Sequence, residues 1–123
     1  MVNLERFSKT EYEGKIVRVN EGTLRELLEA KGLAEASIQK WTRHDKEDQV
    51  SKLDREHLQP VVVHEGTSVD GPYLMIPATA GGYRKSNMRD FIEKNKLPFD
   101  TGKWVGMECA LMLNDDGFLR VAL

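Results

Sequence analysis

Residues 105–123 read Val-Gly-Met-Glu-Cys-Ala-Leu-Met-Leu-Asn-Asp-Asp-Gly-Phe-Leu-Arg-Val-Ala-Leu, and they carry the clearest structural pattern in the chain. Apolar residues recur at every second position on both sides of the Asn-Asp-Asp-Gly segment. Because side chains alternate between the two faces of a strand, each run places its apolar residues on one face. Those residues are Val105, Met107, Cys109, Leu111 and Leu113, then Leu119, Val121 and Leu123. The stretch predicts a hairpin of two strands.

The parity of the alternation also predicts the hairpin loop. A two-residue turn at Asp116-Gly117 pairs Leu113 with Arg120 and so mixes the two faces. A three-residue loop over 115–117 keeps them separate, and it favours glycine at its last, left-handed position, where Gly117 stands. The predicted register pairs Leu113 with Leu119, Leu111 with Val121, and Cys109 with Leu123.

Two further strands and a helix are predicted upstream of the hairpin. Val61–Val63 and Tyr73–Ile76 have the composition of strands, and the Gly66–Gly71 segment joins them as a second hairpin. Ser86 is placed to cap a helix from Asn87 to about Lys96. The predicted apolar stripe of that helix consists of Met88, Phe91 and Ile92.

The N-terminal part begins with an arm or short helix over Met1–Tyr12 and a strand at Lys15–Val19, which Asn20–Gly22 then interrupt. Thr23 and Glu26 form the S/T-x-x-E capping box of a helix start. The helix they begin has its apolar face at Leu24, Leu27 and Leu28, and Gly32 can end it in a left-handed conformation.

Two more helices are predicted before residue 60. The second runs from about Ala34 to Arg43, with Ile38 and Trp41 on its inner side. Trp41 and Val50 lie nine residues apart, so one continuous helix would place them on opposite faces. A break near 44–47 and a short third helix resolve this conflict. The third helix would carry Val50, Leu53 and Leu58.

These elements predict an α+β fold, in which N-terminal helices are followed by a small antiparallel sheet interrupted by one helix. The chain of 123 residues is predicted to form a single compact domain over 1–123. Its helical part covers about 20–58, and the sheet with its helix covers about 60–123.

Composition narrows the classes of function. The net charge is -2, so no strong overall field attracts the chain to DNA or to an anionic membrane. One cysteine excludes an internal disulfide and a cysteine-based zinc site. No apolar run reaches the roughly 18 residues of a membrane span, and the N-terminus lacks a signal-peptide pattern. We expect a soluble cytoplasmic protein.

The strongest candidate binding site is the glycine-rich segment before the helix at 87. Residues 80–97 hold five basic and two acidic side chains, a local charge of +3. A loop that leads into a helix start presents backbone N–H groups to an anion, and Tyr83 could stack on a base. A solvated basic surface is the alternative interpretation. The predicted phosphate-binding residues are Gly81, Gly82, Tyr83, Arg84, Lys85, Ser86 and Arg89.

A second candidate is the segment Arg25–Arg43, which resembles a helix-turn-helix. Two amphipathic helices flank the Gly32-Leu33 turn, as that motif requires. The second helix would offer Gln39, Lys40 and Arg43 to a nucleic acid. An ordinary helical hairpin is the alternative, since residues 23–47 carry equal numbers of acidic and basic groups.

Catalytic chemistry leaves little trace in the sequence. Cys109 falls on the apolar face of a strand, which favours a buried side chain over a nucleophile. His57 and His64 do not have a metal-ligand spacing. We therefore predict no catalytic residues, no metal and no cofactor, and an enzyme of unknown class is only the third interpretation.

The sequence thus favours a small non-enzymatic regulatory binding protein. It would engage nucleic acid or another phosphate-bearing ligand through 83–89, with the helix-turn-helix-like segment 25–43 as a second contact. The alternative is a small inhibitor or adaptor that acts by protein–protein contact, like many compact proteins of viruses and mobile elements. Salt-dependent binding to nucleic acid would separate the two.

Overall fold

A computed structural model describes residues 11–42, 51–79, 82 and 86–122. Its main body is an antiparallel sheet in which the strands follow the order β3-β2-β1-β5-β6, with β4 paired to β2. The sheet curls until β3 and β6 approach each other, which gives a nearly closed, barrel-like body. The strands are β1 Glu11–Thr23, β2 Glu56–His64, β3 Thr67–Asp70, β4 Leu74–Met75, β5 Glu108–Leu113 and β6 Leu119–Val121.

Three short helices connect strands of this sheet in the described part of the chain. Helices α1 (Leu24–Ala30) and α2 (Glu35–Gln39) lie between β1 and β2, and α3 (Asn87–Asn95) lies between β4 and β5. Single 3-10 turns occupy Lys40–Thr42, Lys52–Asp54 and Thr101–Lys103. None of the helices in the described ranges is long and apolar enough to cross a membrane.

The long strand β1 joins the two halves of the sheet. Its first part, Glu11–Lys15, pairs with β5, and its remainder, from Lys15 onward, pairs with β2. A bulge at Val17 bends the strand between these partners. Near the bend, Gly14 leaves room for the opposite strand, since a Cβ there would lie 2.4 Å from Val62 Cγ1.

The predicted fold class is wrong, because a large sheet and not a set of N-terminal helices dominates the structure. Residues 20–23 of the predicted helical part belong to β1, and residues 56–58 belong to β2. Asn20–Gly22 have turn-forming composition, yet their pairing with His57–Gln59 continues the strand. Cross-strand hydrogen bonding between residues far apart in sequence overrides local propensity here.

The predicted third helix is also wrong. Leu53 lies in a single 3-10 turn, Leu58 lies in β2 opposite Glu21, and Val50 is outside the described residues. The predicted long loop at 66–71 instead contains β3, which forms a tight hairpin with β2 through Glu65-Gly66. Both turn residues have positive φ, as a two-residue hairpin turn requires.

Several local predictions are confirmed. Strands β5 and β6 pair Leu113 with Leu119 and Leu111 with Val121, whereas the predicted partner of Cys109 is outside the described residues. Gly117 is left-handed, with φ 82°. The capping box of α1 is present, and Ser86 caps α3. Of the arm or short helix predicted over 1–12, only residues 11 and 12 are described, and they belong to β1.

Two apolar clusters hold these elements together. The larger fills the inside of the curled sheet, and Trp104 lies at its centre with no exposed surface; its indole N–H donates to the Pro98 carbonyl at 2.7 Å. The smaller joins α1, α2 and the turn at 52–54 to the outside of the sheet through Leu24, Leu28, Ile38 and Leu53. Residues 57–62 of β2 are buried at every position, so both faces of this strand are covered, which explains its long apolar run.

Candidate functional site

A groove lies between α1 and the outer face of β1 and β2. We call it the α1 groove; its volume is about 640 Å³. Strands form its floor and α1 forms one wall, so regular secondary structure holds both in place. The lining residues are Arg18, Val19, Asn20, Glu21, Glu26, Leu27, Ala30, Lys31, Gln59 and Asp70.

The bulge in β1 determines which side chains face this groove. Lys15 pairs with Val63, and Arg18 pairs with Val61, two positions away along β2. Because Val17 is an extra residue in β1, Lys15 and Arg18 lie on the same face of the sheet although they are three positions apart. Asn20 follows on that face, opposite Gln59. Lys15, Arg18 and Asn20 therefore form one line along the strand, which we call the β1 strip.

Two amides form the floor of the groove. Gln59 is 3% exposed, and its Nε2 donates to the Gly71 carbonyl at 3.2 Å. The half-buried Asn20 donates from Nδ2 to Gln59 Oε1 at 3.4 Å. A hydrogen bond also links Gln59 to the Tyr73 hydroxyl, whose pKa is raised mainly by burial. This buried network fixes the Asn20 amide at the groove surface.

The two cations of the β1 strip are uncommitted. Neither Lys15 nor Arg18 forms an ion pair with another described residue, and both side chains are exposed. Glu108 stands opposite Lys15, but its carboxyl group interacts with Glu13, whose pKa is raised by a hydrogen bond and by repulsion from Glu108. Two positive charges on one strand face are thus available to a ligand.

The acidic groups of the groove, in contrast, are each engaged within the chain. Glu26 accepts from the Thr23 backbone N–H at 3.2 Å as part of the capping box. Glu21 accepts from the Thr101 hydroxyl at 3.2 Å. The Asp70 carboxylate forms an ion pair with the Lys31 ammonium group.

Of the predicted phosphate site, Gly82, Ser86 and Arg89 are described, and Ser86 and Arg89 take part in capping α3. Gly81, Tyr83, Arg84 and Lys85 lie outside the described residues, and Gly82 is exposed. The Ser86 hydroxyl accepts from the Arg89 backbone N–H at 3.1 Å. The Arg89 side chain donates to Glu93 at 2.8 Å. Ser86 and Arg89 are therefore brought together by the start of α3.

The helix-turn-helix-like segment forms two short helices around a left-handed Gly32. Helix α2 has only five residues, so it presents little more than one turn. Gln39 donates to Glu35 at 2.8 Å, and the Arg25 guanidinium beside Glu35 holds the pKa of that carboxyl below its usual value. Lys40 is exposed, and Arg43 is outside the described residues.

Among the described residues, the nucleophilic and metal-binding side chains do not form a site. Cys109 is 1% exposed, and burial raises its pKa to about 11, so the thiol stays protonated. His57 is buried, and its Nδ1 bonds to the Arg55 carbonyl at 2.8 Å. Within the described ranges no three His, Cys, Asp or Glu side chains gather as a metal site would require.

Sequence reasoning missed the residues of the α1 groove. Arg18 was assigned only to a short strand, and Asn20 to an interruption after it. One signal was present: Gln59 is a polar residue directly before the apolar run at 60–63, which is unusual for a buried strand unless its amide has partners. The contribution of Lys31 and Asp70 depends on a contact across 39 positions and left no local signal.

Comparison with known proteins assigns no family to the chain. No protein-family model matches it, no curated protein matches it, and no solved structure matches it. The site therefore has to be interpreted from its own chemistry.

Proposed function

We propose that this protein is a small non-enzymatic regulatory protein that binds a nucleic acid strand or another phosphate-bearing ligand. The observation that supports the proposal best is the β1 strip, in which two uncommitted cations and an amide share one strand face beside a groove. The sequence alone favoured the same class of ligand but placed it at 83–89.

The spacing of the strip suits an extended, repeatedly charged ligand. Lys15 and Asn20 are five residues apart, which is about 15 Å along a strand. Arg18 lies between them, so successive phosphates of one strand can contact Lys15 and Arg18. Basic side chains arranged along a track supply most of the sequence-independent affinity of nucleic-acid-binding proteins.

The amides of the groove supply the second type of contact. Asn20, which lines the groove, uses one N–H toward Gln59, so its carbonyl oxygen and its other N–H remain available to a ligand. An adjacent donor and acceptor can bond a base edge or a sugar hydroxyl. Gln59 supports this group from below and lies too deep to contact a ligand by itself.

The architecture agrees with such a ligand. Small, partly open antiparallel barrels include oligonucleotide binders that hold their ligand across strand faces. That likeness concerns architecture and assigns no role to a residue, because one fold hosts many functions. The roles of Lys15, Arg18 and Asn20 are argued from their own positions.

A fluorescence-anisotropy titration tests the proposal. A labelled random single strand and a labelled random duplex are titrated at low and at near-physiological salt. The Lys15→Ala/Arg18→Ala variant should bind the single strand more weakly, and its salt slope should fall by about 0.7 per lost phosphate contact. The Arg84→Ala/Lys85→Ala variant measures the contribution of the basic segment at 83–89 in the same assay.

A matched variant controls for net charge. Lys103→Ala/Arg120→Ala removes two exposed positive charges outside the groove and should leave binding nearly unchanged. An equal loss in this control would show that only overall charge matters. The absence of binding by the unaltered protein at low salt would contradict the proposal.

Contact with a protein partner is the second candidate function. The β5–β6 hairpin exposes three large apolar side chains: Met112 at 43%, Leu113 at 39% and Phe118 at 64%. Exposed apolar side chains of this size, when grouped, are typical of protein interfaces. If this hairpin binds a partner, Phe118→Ser should abolish a complex recovered from lysate, whereas Phe99→Ser, at another exposed phenylalanine, should not.

A further inference from the structure

The ion pair between Lys31 and Asp70 connects the two walls of the α1 groove. Lys31 is the C-cap residue of α1, and Asp70 is the last residue of β3. Their side chains are 41% and 42% exposed, so solvent and a ligand can reach both. A ligand that enters the groove therefore meets a lysine whose charge is already balanced.

This pairing limits the negative charge that the groove can accept. Arg18 and Lys31 are the cations in its lining, and Glu21, Glu26 and Asp70 are the anions. With Lys31 held by Asp70, Arg18 is the single uncommitted cation of the groove among the described residues. Arg18 can therefore pair with one negative charge, whereas a second would meet a lining whose formal charge, with two cations and three anions, is already -1.

We propose that Asp70 makes the α1 groove selective for the internal phosphodiester of a nucleic acid strand over a terminal phosphomonoester or a free nucleotide. This inference rests on the proposed function. A phosphodiester carries one charge, which Arg18 can balance. A phosphomonoester carries roughly -1.5 to -2 near neutral pH. Its additional charge requires Lys31, and Asp70 would then remain beside the ligand as an unbalanced anion.

The test compares two probes that differ in one phosphate. Both are the same dinucleotide with a fluorophore at the 3′ end, so short that its 5′ group stays near the groove when it binds; one has a 5′ hydroxyl and the other a 5′ phosphomonoester. The unaltered protein should bind the 5′-hydroxyl strand at least about three-fold tighter, since like charges in the groove oppose the additional phosphate. Inorganic phosphate should compete weakly with either strand.

Asp70→Asn should remove this preference. Lys31 is then free to balance a second charge, so the ratio of the two affinities should fall to about one or reverse. Asp116→Asn makes the same change of charge at the tip of the β5–β6 hairpin and should leave the ratio as it is in the unaltered protein.

Lys31→Met provides an independent variant of the same pair. It leaves Asp70 unbalanced, so the preference for the 5′-hydroxyl strand should increase. The Lys31→Met/Asp70→Asn double variant has the same formal groove charge as the unaltered protein, and its ratio should return to the unaltered value. Circular dichroism of each variant verifies that the sheet is retained.

The outcomes separate this inference from the proposed function. Equal affinity of the unaltered protein for the two probes, or an unchanged ratio in Asp70→Asn, overturns the role of Asp70. If strand binding is still lost in Lys15→Ala/Arg18→Ala, the proposed function stands without it. If the unaltered protein binds neither strand, both are overturned.

Discussion

Gly71 lies directly against Pro60, because the Gly71 backbone N–H donates to the Pro60 carbonyl at 2.7 Å. Pro60 stands inside β2, a strand with partners on both sides, although proline cannot donate a ladder hydrogen bond. On the side of its carbonyl, β2 pairs with β4 before Pro60 and with β3 after it. The missing N–H of Pro60 therefore faces the gap between two ladders, next to Gly71, whose carbonyl accepts from Gln59 Nε2 instead.

Gly71→Ala should destabilise the protein by about 1–3 kcal/mol, as overpacking of a close contact does. A Cβ at this position would lie 2.5 Å from the Pro60 oxygen and 2.7 Å from its Cγ, so backbone would have to move. Urea unfolding followed by circular dichroism measures the change. Gly102→Ala is the matched control, since the nearest atom there is an Asp100 side-chain oxygen at 3.2 Å. Equal effects of the two substitutions would contradict the argument.

At Gly117, in the loop of the β5–β6 hairpin, the stability cost of a substitution should depend on how readily the new residue adopts a left-handed conformation. Its φ of 82° is left-handed, and no atom lies within 4 Å of an added Cβ, so the cost is conformational and not steric. Gly117→Val should cost about 1–2 kcal/mol, whereas Gly117→Asn should cost less, because asparagine adopts this conformation more readily. Thermal unfolding of both variants provides the comparison. A valine variant as stable as the asparagine variant would rule out the strain.

Stability should fall as the pH is lowered through the range in which histidine titrates. Burial lowers the pKa of His57 in the folded protein, and the nearby charges of Lys52 and Arg55 lower it further, while the Arg55 carbonyl and Glu56 act in the opposite direction. Above about pH 6.5, His57 is neutral in both states and adds no pH dependence. Below that value the unfolded chain binds the proton first, so the folded state loses stability.

The pH slope of the unfolding free energy between about pH 7 and 5 tests this prediction. His57→Gln should flatten the slope whatever it does to the stability itself. His64→Gln is the control, because it replaces a partly exposed histidine whose side chain bonds to the Glu13 carbonyl. A slope that changes in the His64 variant and not in the His57 variant would contradict this prediction.

The sequence predicted those parts of the fold that depend on short-range chemistry. The capping box at Thr23 and Glu26 and the loop ending in Gly117 involve residues at most a few positions apart. The extension of β1 through Asn20 and of β2 back to Glu56 depends on pairing between segments more than thirty residues apart. No local pattern contains that information, so Leu58 was assigned to a helix.

The site residues that the sequence does not reveal also depend on the assembled fold. Arg18 faces the groove because the bulge at Val17 shifts the alternation of β1, and strict alternation from Lys15 places Arg18 on the opposite face. A bulge has no reliable signature in one sequence. The Lys31–Asp70 pair likewise depends on where α1 docks, which is a property of the assembled fold.

Cys109 should be nearly inert to thiol reagents in the folded protein. It is 1% exposed and burial raises its pKa to about 11, so at about pH 8 almost no thiolate is present and the reagent has no access. It is the one cysteine of the chain, so a chromogenic disulfide reagent reports on it alone.

In denaturant the thiol should react within the mixing time, whereas in buffer the rate should follow the opening of β5 from β1. If opening is global, Gly71→Ala should accelerate that reaction about tenfold for each 1.4 kcal/mol of stability it loses, and the Gly102→Ala control should not. Rapid labelling of the unaltered protein in buffer would contradict the burial of Cys109 in the larger apolar cluster.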